Sequence, residues 1–467
     1  MAETTPPPDT AQARPNTWAL LRPLILRLHF YAGVFVAPFI LVAAVSGLLY
    51  VWTPQLEQAL YTDQLHVEQQ GESITLQEQV LIAQEELPTG ELNAVRPATT
   101  ATDSTRVLFD LPELGESHRM AVFVDPYDGD VLGVMESYGT SGSLPARTWI
   151  DLLHRTLHLG DAGRLYSELA ASWLWVVAAG GAAMWIARNR RRRGLRRALV
   201  PQVTSSRGRA RSLSVHGTFG LWALIGLFFL SATGLTWSQH AGTNITELRE
   251  RLAWTTPAVS IEEVPRTPGV DLGIDRALDT ARDHGLDGLV EVAVPQESTS
   301  LYTVTQIDRS WPSSVDAVAI APDTGEVTDT VRFEDYGLMA KLSRWGIDAH
   351  MGVLFGVPNQ IVLTALALAV ITVVGLGYRM WWQRRPTRTS AWSLGRPYPR
   401  GSFRLLPWWL KGVVIAVVVG VGWALPLLGL SLVVFLLVDL AVGAYHRRRG
   451  STGAPTEDAP ASVESKV

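Results

Sequence analysis

Residues 27–52 read RLHFYAGVFVAPFILVAAVSGLLYVW, an apolar run long enough to cross a bilayer, with a lone histidine, His29, near its front edge. Residues 214–237 read SVHGTFGLWALIGLFFLSATGLTW. Setting His29 on His216 places Gly33 on Gly220, Ser46 on Thr233, Gly47 on Gly234 and Leu48 on Leu235. A histidine, a glycine one turn later and a Ser/Thr-Gly pair recur at equal offsets, which marks an internal repeat.

The repeat continues downstream. WIDLLHRTLHLG (149–160) and RWGIDAHMGVLFG (344–356) each lead into an apolar run, and His154 set on His350 brings Gly160 onto Gly356. Six spans are expected, roughly 29–51, 166–187, 215–237, 358–381, 405–424 and 427–445, the last two a hairpin broken near Pro426. The N-terminal 1–22 is Pro/Thr-rich and expected to be disordered. It has no apolar run of signal-peptide type, and no small-residue cleavage site follows residue 52. Residues 23–52 are therefore expected to stay in the membrane.

Charge orients the spans. Ten arginines and no acid lie in 188–211, and Arg379, Arg384, Arg385, Arg388, Arg396, Arg400 and Arg404 surround the loop 383–404. Every second loop is basic, so 188–213, 383–404, the N-terminus and the tail 446–467 are read as cytoplasmic, and the arginines as topology determinants rather than a nucleic-acid surface. The loops 53–148 and 238–343 then lie outside. Each is long enough to fold. Helical spacing at 75–87 and 272–285 is followed by strand-like runs at 104–111, 118–125 and 130–134, and at 289–294, 300–307, 315–320 and 326–331, with hairpin signals at Asp128-Gly129 and Thr324-Gly325. One helix against a small antiparallel sheet is expected in each. The fold class is an α-helical polytopic membrane protein with two extracytoplasmic α+β domains, an internal repeat with a pseudo-two-fold axis, and a C-terminal transmembrane hairpin (405–445).

The chain has 467 residues and no cysteine, which excludes disulfides, iron–sulfur clusters, thiolate catalysis and covalently attached c-type haem. Its 17 tryptophans fit interface belts, with Trp52, Trp149, Trp237, Trp345, Trp381 and Trp382 at span ends. Almost no buried acid or base is expected within the spans.

Of ten histidines, four hold repeat-related places. His29 and His216 begin outward-running spans. His154 and His350 sit in the approaches (149–187 and 344–382) to inward-running ones. Across a pseudo-two-fold along the membrane normal each pair faces itself. Facing imidazoles between helices suit axial ligation of haem iron, and Gly33 and Gly220 leave room for a flat macrocycle. Direct binding of a transition metal, with Asp151 and Asp348 near the second pair, remains a further option. His158, four residues after His154, is expected on the same helix face and is an alternative ligand. His446 reads as interfacial; His66, His118, His240 and His284 read as surface residues; Ser46, Gly47, Thr233 and Gly234 read as helix-packing contacts.

The segments RLHFYAGVFVAPFILVAAVSGLLY, HRTLHLG, SVHGTFGLWALIGLFFLSATGLTW and DAHMGVLFG resemble the PepSY-associated transmembrane family, the PiuB-like iron-regulated membrane proteins, over about 27–382. The turns DPYDGDVLG and APDTGEVTD are similar to the final hairpin of PepSY domains. The resemblance implies two PepSY-like outer domains and a role in iron acquisition, some members being haem-containing reductases of ferric siderophores. The expectation is a multi-pass protein of the cytoplasmic membrane with two b-type haems at His29, His216, His154 and His350. A cytoplasmic reductase or membrane quinol would be its electron donor and a ferric siderophore or other ferric chelate its acceptor. A transporter component for haem, iron or siderophore and a non-enzymatic PepSY regulator are the alternatives.

Overall fold

A computed structural model of the chain describes residues 17–189, 199–203, 208–260, 267, 270–296, 301–384 and 402–451. The N-terminal segment 1–16, most of both basic loops and the side chain of His446 lie outside the described residues.

The chain opens with α1 (Thr17–Phe35) and α2 (Ala37–Tyr50), then short α3 (Thr53–Leu60) and α4 (Thr62–Leu65). After α5 (Leu76–Glu86) come β1 (Glu91–Arg96), β2 (Thr105–Asp110), β3 (His118–Val124) and β4 (Val131–Tyr138). Helices α6 (Pro145–Thr156), α7 (Gly160–Asn189), α8 (Gly208–Trp222), α9 (Leu224–Leu235) and α10 (His240–Arg251) lead to α11 (Gly273–Asp283). Strands β5 (Val290–Ala293), β6 (Tyr302–Gln306), β7 (Ala317–Ile320) and β8 (Val327–Val331) follow. The chain then runs through α12 (Leu338–Met351), α13 (Val357–Trp382), α14 (Trp408–Ala424) and α15 (Pro426–Ser451).

By length and apolarity, α7, α13 and the Pro426–Tyr445 part of α15 can cross a membrane, and among the described residues there are up to five such spans if α1–α2 and α8–α9 each count as one. The fifth expected span (405–424), α14, is apolar but has only 17 residues, about 25 Å of helix against a core of about 30 Å. Its neighbour α15 turns straight back on it at Leu425, with Gly422 and Gly429 so close that a Cβ on Gly429 would lie 2.8 Å from the Gly422 backbone.

Spans one and three are bent rather than continuous, each by 57°. Pro38, near the start of α2, has no N–H for the carbonyl four residues back and its ring crowds that carbonyl. The carbonyl belongs to Val34, and it accepts instead from the Tyr378 hydroxyl at 2.8 Å. At the second bend there is no proline; there Gly226 lets α9 approach Leu366 of α13, where a Cβ would meet the leucine at 2.6 Å.

The spans also hold charge. Arg27 of α1 pairs with Asp439 of α15 at 2.6 Å. Glu168 of α7 is 1% exposed, and its two carboxylate oxygens accept from the His240 and Ala241 N–H groups, both at 2.9 Å. A helix start has orphan donors and a positive dipole end, so Glu168 serves α10 as a cap supplied from another helix.

Strands from the two long loops do not form separate sheets. They make one eight-stranded antiparallel sheet, ordered β4-β3-β2-β1-β5-β6-β7-β8. The seam is β1 against β5, with Ala94 opposite Ala293 and Val95 opposite Val292. Helices α5 and α11 cover one face. Val80 and Ala83 of α5 and Ala277 and Ala281 of α11 share a core with Val95, Val107, Val122, Val292 and Val304 of the sheet. Thr75 and Glu78 form a capping box at α5. Its next two N–H groups, of Leu76 and Gln77, donate to the Asp275 carboxylate of α11 at 2.7 and 2.9 Å.

Candidate functional site

Four histidines line two cavities among the helices. His29 of α1 and His216 of α8 line one of about 840 Å³ on the side of the arginine-rich loops. Their ring centres are 6.3 Å apart with planes at 85°. His154 of α6 and His350 of α12 line a second, of about 530 Å³, on the side of the sheet. His29 and His216 therefore stand ring to ring, and His154 and His350 open onto one cavity.

Each ring is held in the same way. His29 Nδ1 lies 2.9 Å from the Val177 carbonyl of α7, and His216 Nδ1 lies 2.9 Å from the Val373 carbonyl of α13. A carbonyl only accepts, so Nδ1 carries the proton and Nε2 the lone pair. On the sheet side the partners are hydroxyls, Ser46 Oγ at 3.0 Å from His154 Nδ1 and Thr233 Oγ1 at 2.6 Å from His350 Nδ1. Ser46 donates to the Val42 carbonyl at 2.7 Å, and Thr233 to that of Phe229 at 2.8 Å. With its one proton committed, each hydroxyl accepts from the ring, and the tautomer is again Nδ1–H. Among the described residues His29, His216 and His350 make no hydrogen bond at Nε2, and the His154 ring also has the Ala43 carbonyl within hydrogen-bond reach.

Small residues give the rings their places. A Cβ at Gly47 or Gly181 would come within 3.2 Å of His154 Cε1 or His29 Cε1 respectively. Gly234 and Gly377 stand likewise against His350 and His216, at ordinary contact distance. Gly33 and Gly220 line the arginine-side cavity, and a Cβ on either would meet nothing within 4 Å. The Ser/Thr-Gly pairs, read from sequence as packing, thus support the sheet-side rings. Repeat-matching singled them out, but an apolar span gives small residues a sufficient reason in helix packing. Trp237 and Trp381, read as interface belts, face the cavities: Trp237 packs edge-on to His350 at 5.5 Å, and Trp381 lines the first cavity.

His158 does not join the set. Helix α6 ends at Thr156, and Leu157 and His158 both take left-handed backbone conformations at φ 51° and 55°. That carries the exposed His158 ring off the helix face and onto Trp149, 4.9 Å between ring centres. Nor do Asp151 and Asp348 assemble a metal shell. Asp151 pairs with Arg155 at 3.3 Å, and Asp348 with Arg344 at 2.9 Å and Arg309 at 3.8 Å. Burial pushes the Asp348 carboxyl above the ordinary carboxylate range although both arginines pull it back. No group of three or more His, Asp or Glu able to hold a metal occurs among the described residues. His118, read as a surface residue, packs on Tyr138 at 4.5 Å and contacts Glu136.

Two neutral imidazoles, each oriented by a hydrogen bond at Nδ1 and bearing a lone pair at Nε2, have the donor chemistry to ligate a metal ion together. A family model described as the PepSY-associated TM region matches residues 26–384. No curated protein matches the chain.

Proposed function

The chain belongs to the family of the PepSY-associated TM region, and from that premise we propose a membrane-bound oxidoreductase that holds two haems and passes electrons across the cytoplasmic membrane to a ferric chelate outside. The observation that carries the reading is the pair of histidine pairs, four imidazoles with Nδ1 engaged and Nε2 left for a ligand. The spacing fits. Two metal–imidazole bonds of about 2 Å, plus the half-width of each five-membered ring, sum to about 6 Å, against 6.3 Å between the His29 and His216 ring centres. The apolar walls, and the open space at Gly33 and Gly220, suit a flat macrocycle.

When bound, haem iron supplies one-electron chemistry. The residues fix where it acts. His29 and His216, oriented by the Val177 and Val373 carbonyls, hold the site on the arginine-rich side. That side is cytoplasmic by the positive-inside bias, and there a reductase or membrane quinol delivers electrons. His154 and His350, oriented by Ser46 and Thr233, hold the site beneath the sheet. The acceptor is a ferric chelate, whose one-electron reduction releases iron because ligands built for Fe(III) hold Fe(II) poorly. The two sheet halves are read as PepSY-like units related, with their helices, by a pseudo-two-fold axis along the membrane normal.

The test is an absorption spectrum of the detergent-purified protein, oxidised and then reduced with dithionite, with haem quantified per chain. Two six-coordinate b-type haems are expected, one lost in His29→Ala and the other in His350→Ala. A colourless protein from haem-replete cells overturns the reading.

A further inference from the structure

Among the described residues four line both cavities, Ile40, Leu174, Leu227 and Val370. They come one each from α2, α7, α9 and α13. The repeat relates them. The offset that carries His29 onto His216 also carries Ile40 onto Leu227, and the offset that carries His154 onto His350 also carries Leu174 onto Val370. All four pack in one apolar cluster, where Ile40, Leu227 and Val370 are buried. Leu174 and Val370 each stand one helical turn before the residue, Val177 or Val373, whose carbonyl holds an arginine-side ring. One turn the other way Ala171 and Ala367, a further matched pair, line the sheet-side cavity alone. On both helices the lining thus passes from alanine to a larger aliphatic side chain where the two cavities meet.

We propose that these four side chains form a dry septum, which an electron crosses between the two histidine sites and which water, protons and ions do not. The electron's part rests on the haem reading above; the seal does not. The lining of one cavity reaches Arg22 and Arg209, and that of the other reaches Tyr138 and Ser141. Joined, the two would make a wet path through the helix bundle. An apolar constriction with no polar atom refuses water, and without a water chain a proton has no carrier. An electron needs no such chain. Its passage leaves the arginine-side site oxidised by one electron and the sheet-side site reduced by one, and no proton moves with it. The transfer therefore carries net charge outward, and an inside-negative membrane potential assists it. Close packing of helices asks only for side chains that fit. It gives no reason for a repeat-matched set of four to be what stands between two cavities.

The experiment uses the full chain reconstituted into phosphatidylcholine vesicles, with a pH-sensitive dye inside and a potassium gradient with valinomycin to drive protons inward. Wild type should leak no faster than protein-free vesicles. Ile40→Ser with Leu227→Ser puts two hydroxyls into the layer and should leak at least about tenfold faster. Ala171→Ser with Ala367→Ser, one turn away in the sheet-side lining, should stay as tight as wild type. Circular dichroism checks each fold; should the first double variant not fold, Leu227→Ser alone takes its place. A leaky wild type, a tight septum variant, or an equal leak from the alanine-site variant overturns the septum. In the same vesicles, ferricyanide trapped inside and dithionite outside follow the electron. Faster ferricyanide reduction in tight wild-type vesicles than in protein-free ones supports the crossing. Its absence overturns the haem reading and leaves the seal standing.

Discussion

Ser46 Oγ lies 3.0 Å from His154 Nδ1 and gives its own proton to the Val42 carbonyl, so a residue of the first span decides which nitrogen of a distant imidazole is free to ligate. Thr233 has the same relation to His350. Removing the acceptor frees the ring to turn and to change tautomer. Ser46→Ala and Thr233→Val should each weaken haem retention at the sheet-side site by roughly 10–100-fold, while Ser46→Thr, which keeps the hydroxyl, should retain it. Haem titration of the purified variants decides this; unchanged affinity in both would mean the hydroxyls only fill space.

Arg27 and Asp439 tie the terminal hairpin to the first span. Their side chains are 11% and 21% exposed, and breaking one member leaves a poorly solvated charge among apolar helices. Asp439→Ala should destabilise the protein by about 3 kcal/mol. The double change Arg27→Met with Asp439→Leu should recover most of that loss, since it leaves no orphan charge. Thermal unfolding in detergent micelles, run as a double-mutant cycle, measures the difference. A loss in the double variant equal to the sum of the two single losses would show that the pair contributes nothing specific.

The histidine pairs were legible because their signal is an offset, and an offset survives whatever the helices do between its ends. The turns and most strands were legible because Asp-Gly and Thr-Gly punctuate β-rich runs. Strand β1 was not. ELNAVR holds one β-branched residue in six, and what makes it a strand is pairing on both edges, with β2 along Glu91–Arg96 and with β5, some 200 positions away, across Ala94–Ala293. The two small sheets expected from local signals therefore merge into one. Pro38 was visible, but the bend it permits depends on Tyr378 reaching Val34 from another helix. His158 was misplaced because helical spacing was carried past Thr156, where two consecutive left-handed residues end the helix. His158→Ala should accordingly leave the haem content at wild-type level.

Asp275 links the two helices that lie on the sheet, accepting from Leu76 N at 2.7 Å and Gln77 N at 2.9 Å. It caps α5 from outside that helix, complementing its own Thr75–Glu78 box. Asp275→Ala should cost about 1–2 kcal/mol, and hydrogen exchange should speed up first at the start of α5. Protection unchanged at Leu76 and Gln77 would sink this assignment.

Glu57 gives the fold a pH dependence of definite sign. Its carboxylate accepts from Leu144 N at 2.6 Å and pairs with Arg147 at 3.3 Å. Burial nevertheless outweighs both partners and raises the carboxyl above its ordinary value. A carboxyl raised in the folded state keeps its proton to higher pH than in the unfolded chain. Between the two values the folded chain binds more protons, and stability falls as pH rises through that window, from about pH 4 upward. The wild-type chain should therefore lose stability relative to Glu57→Gln across this range, by at most about 1.4 kcal/mol per pH unit. Below it, where Glu57 is neutral in both states, the difference should level off. Midpoints of thermal unfolding taken every half unit provide the comparison. A difference that runs the other way, with the wild type gaining on the variant as pH rises, would mean that Arg147 and Leu144 outweigh the burial of the carboxylate.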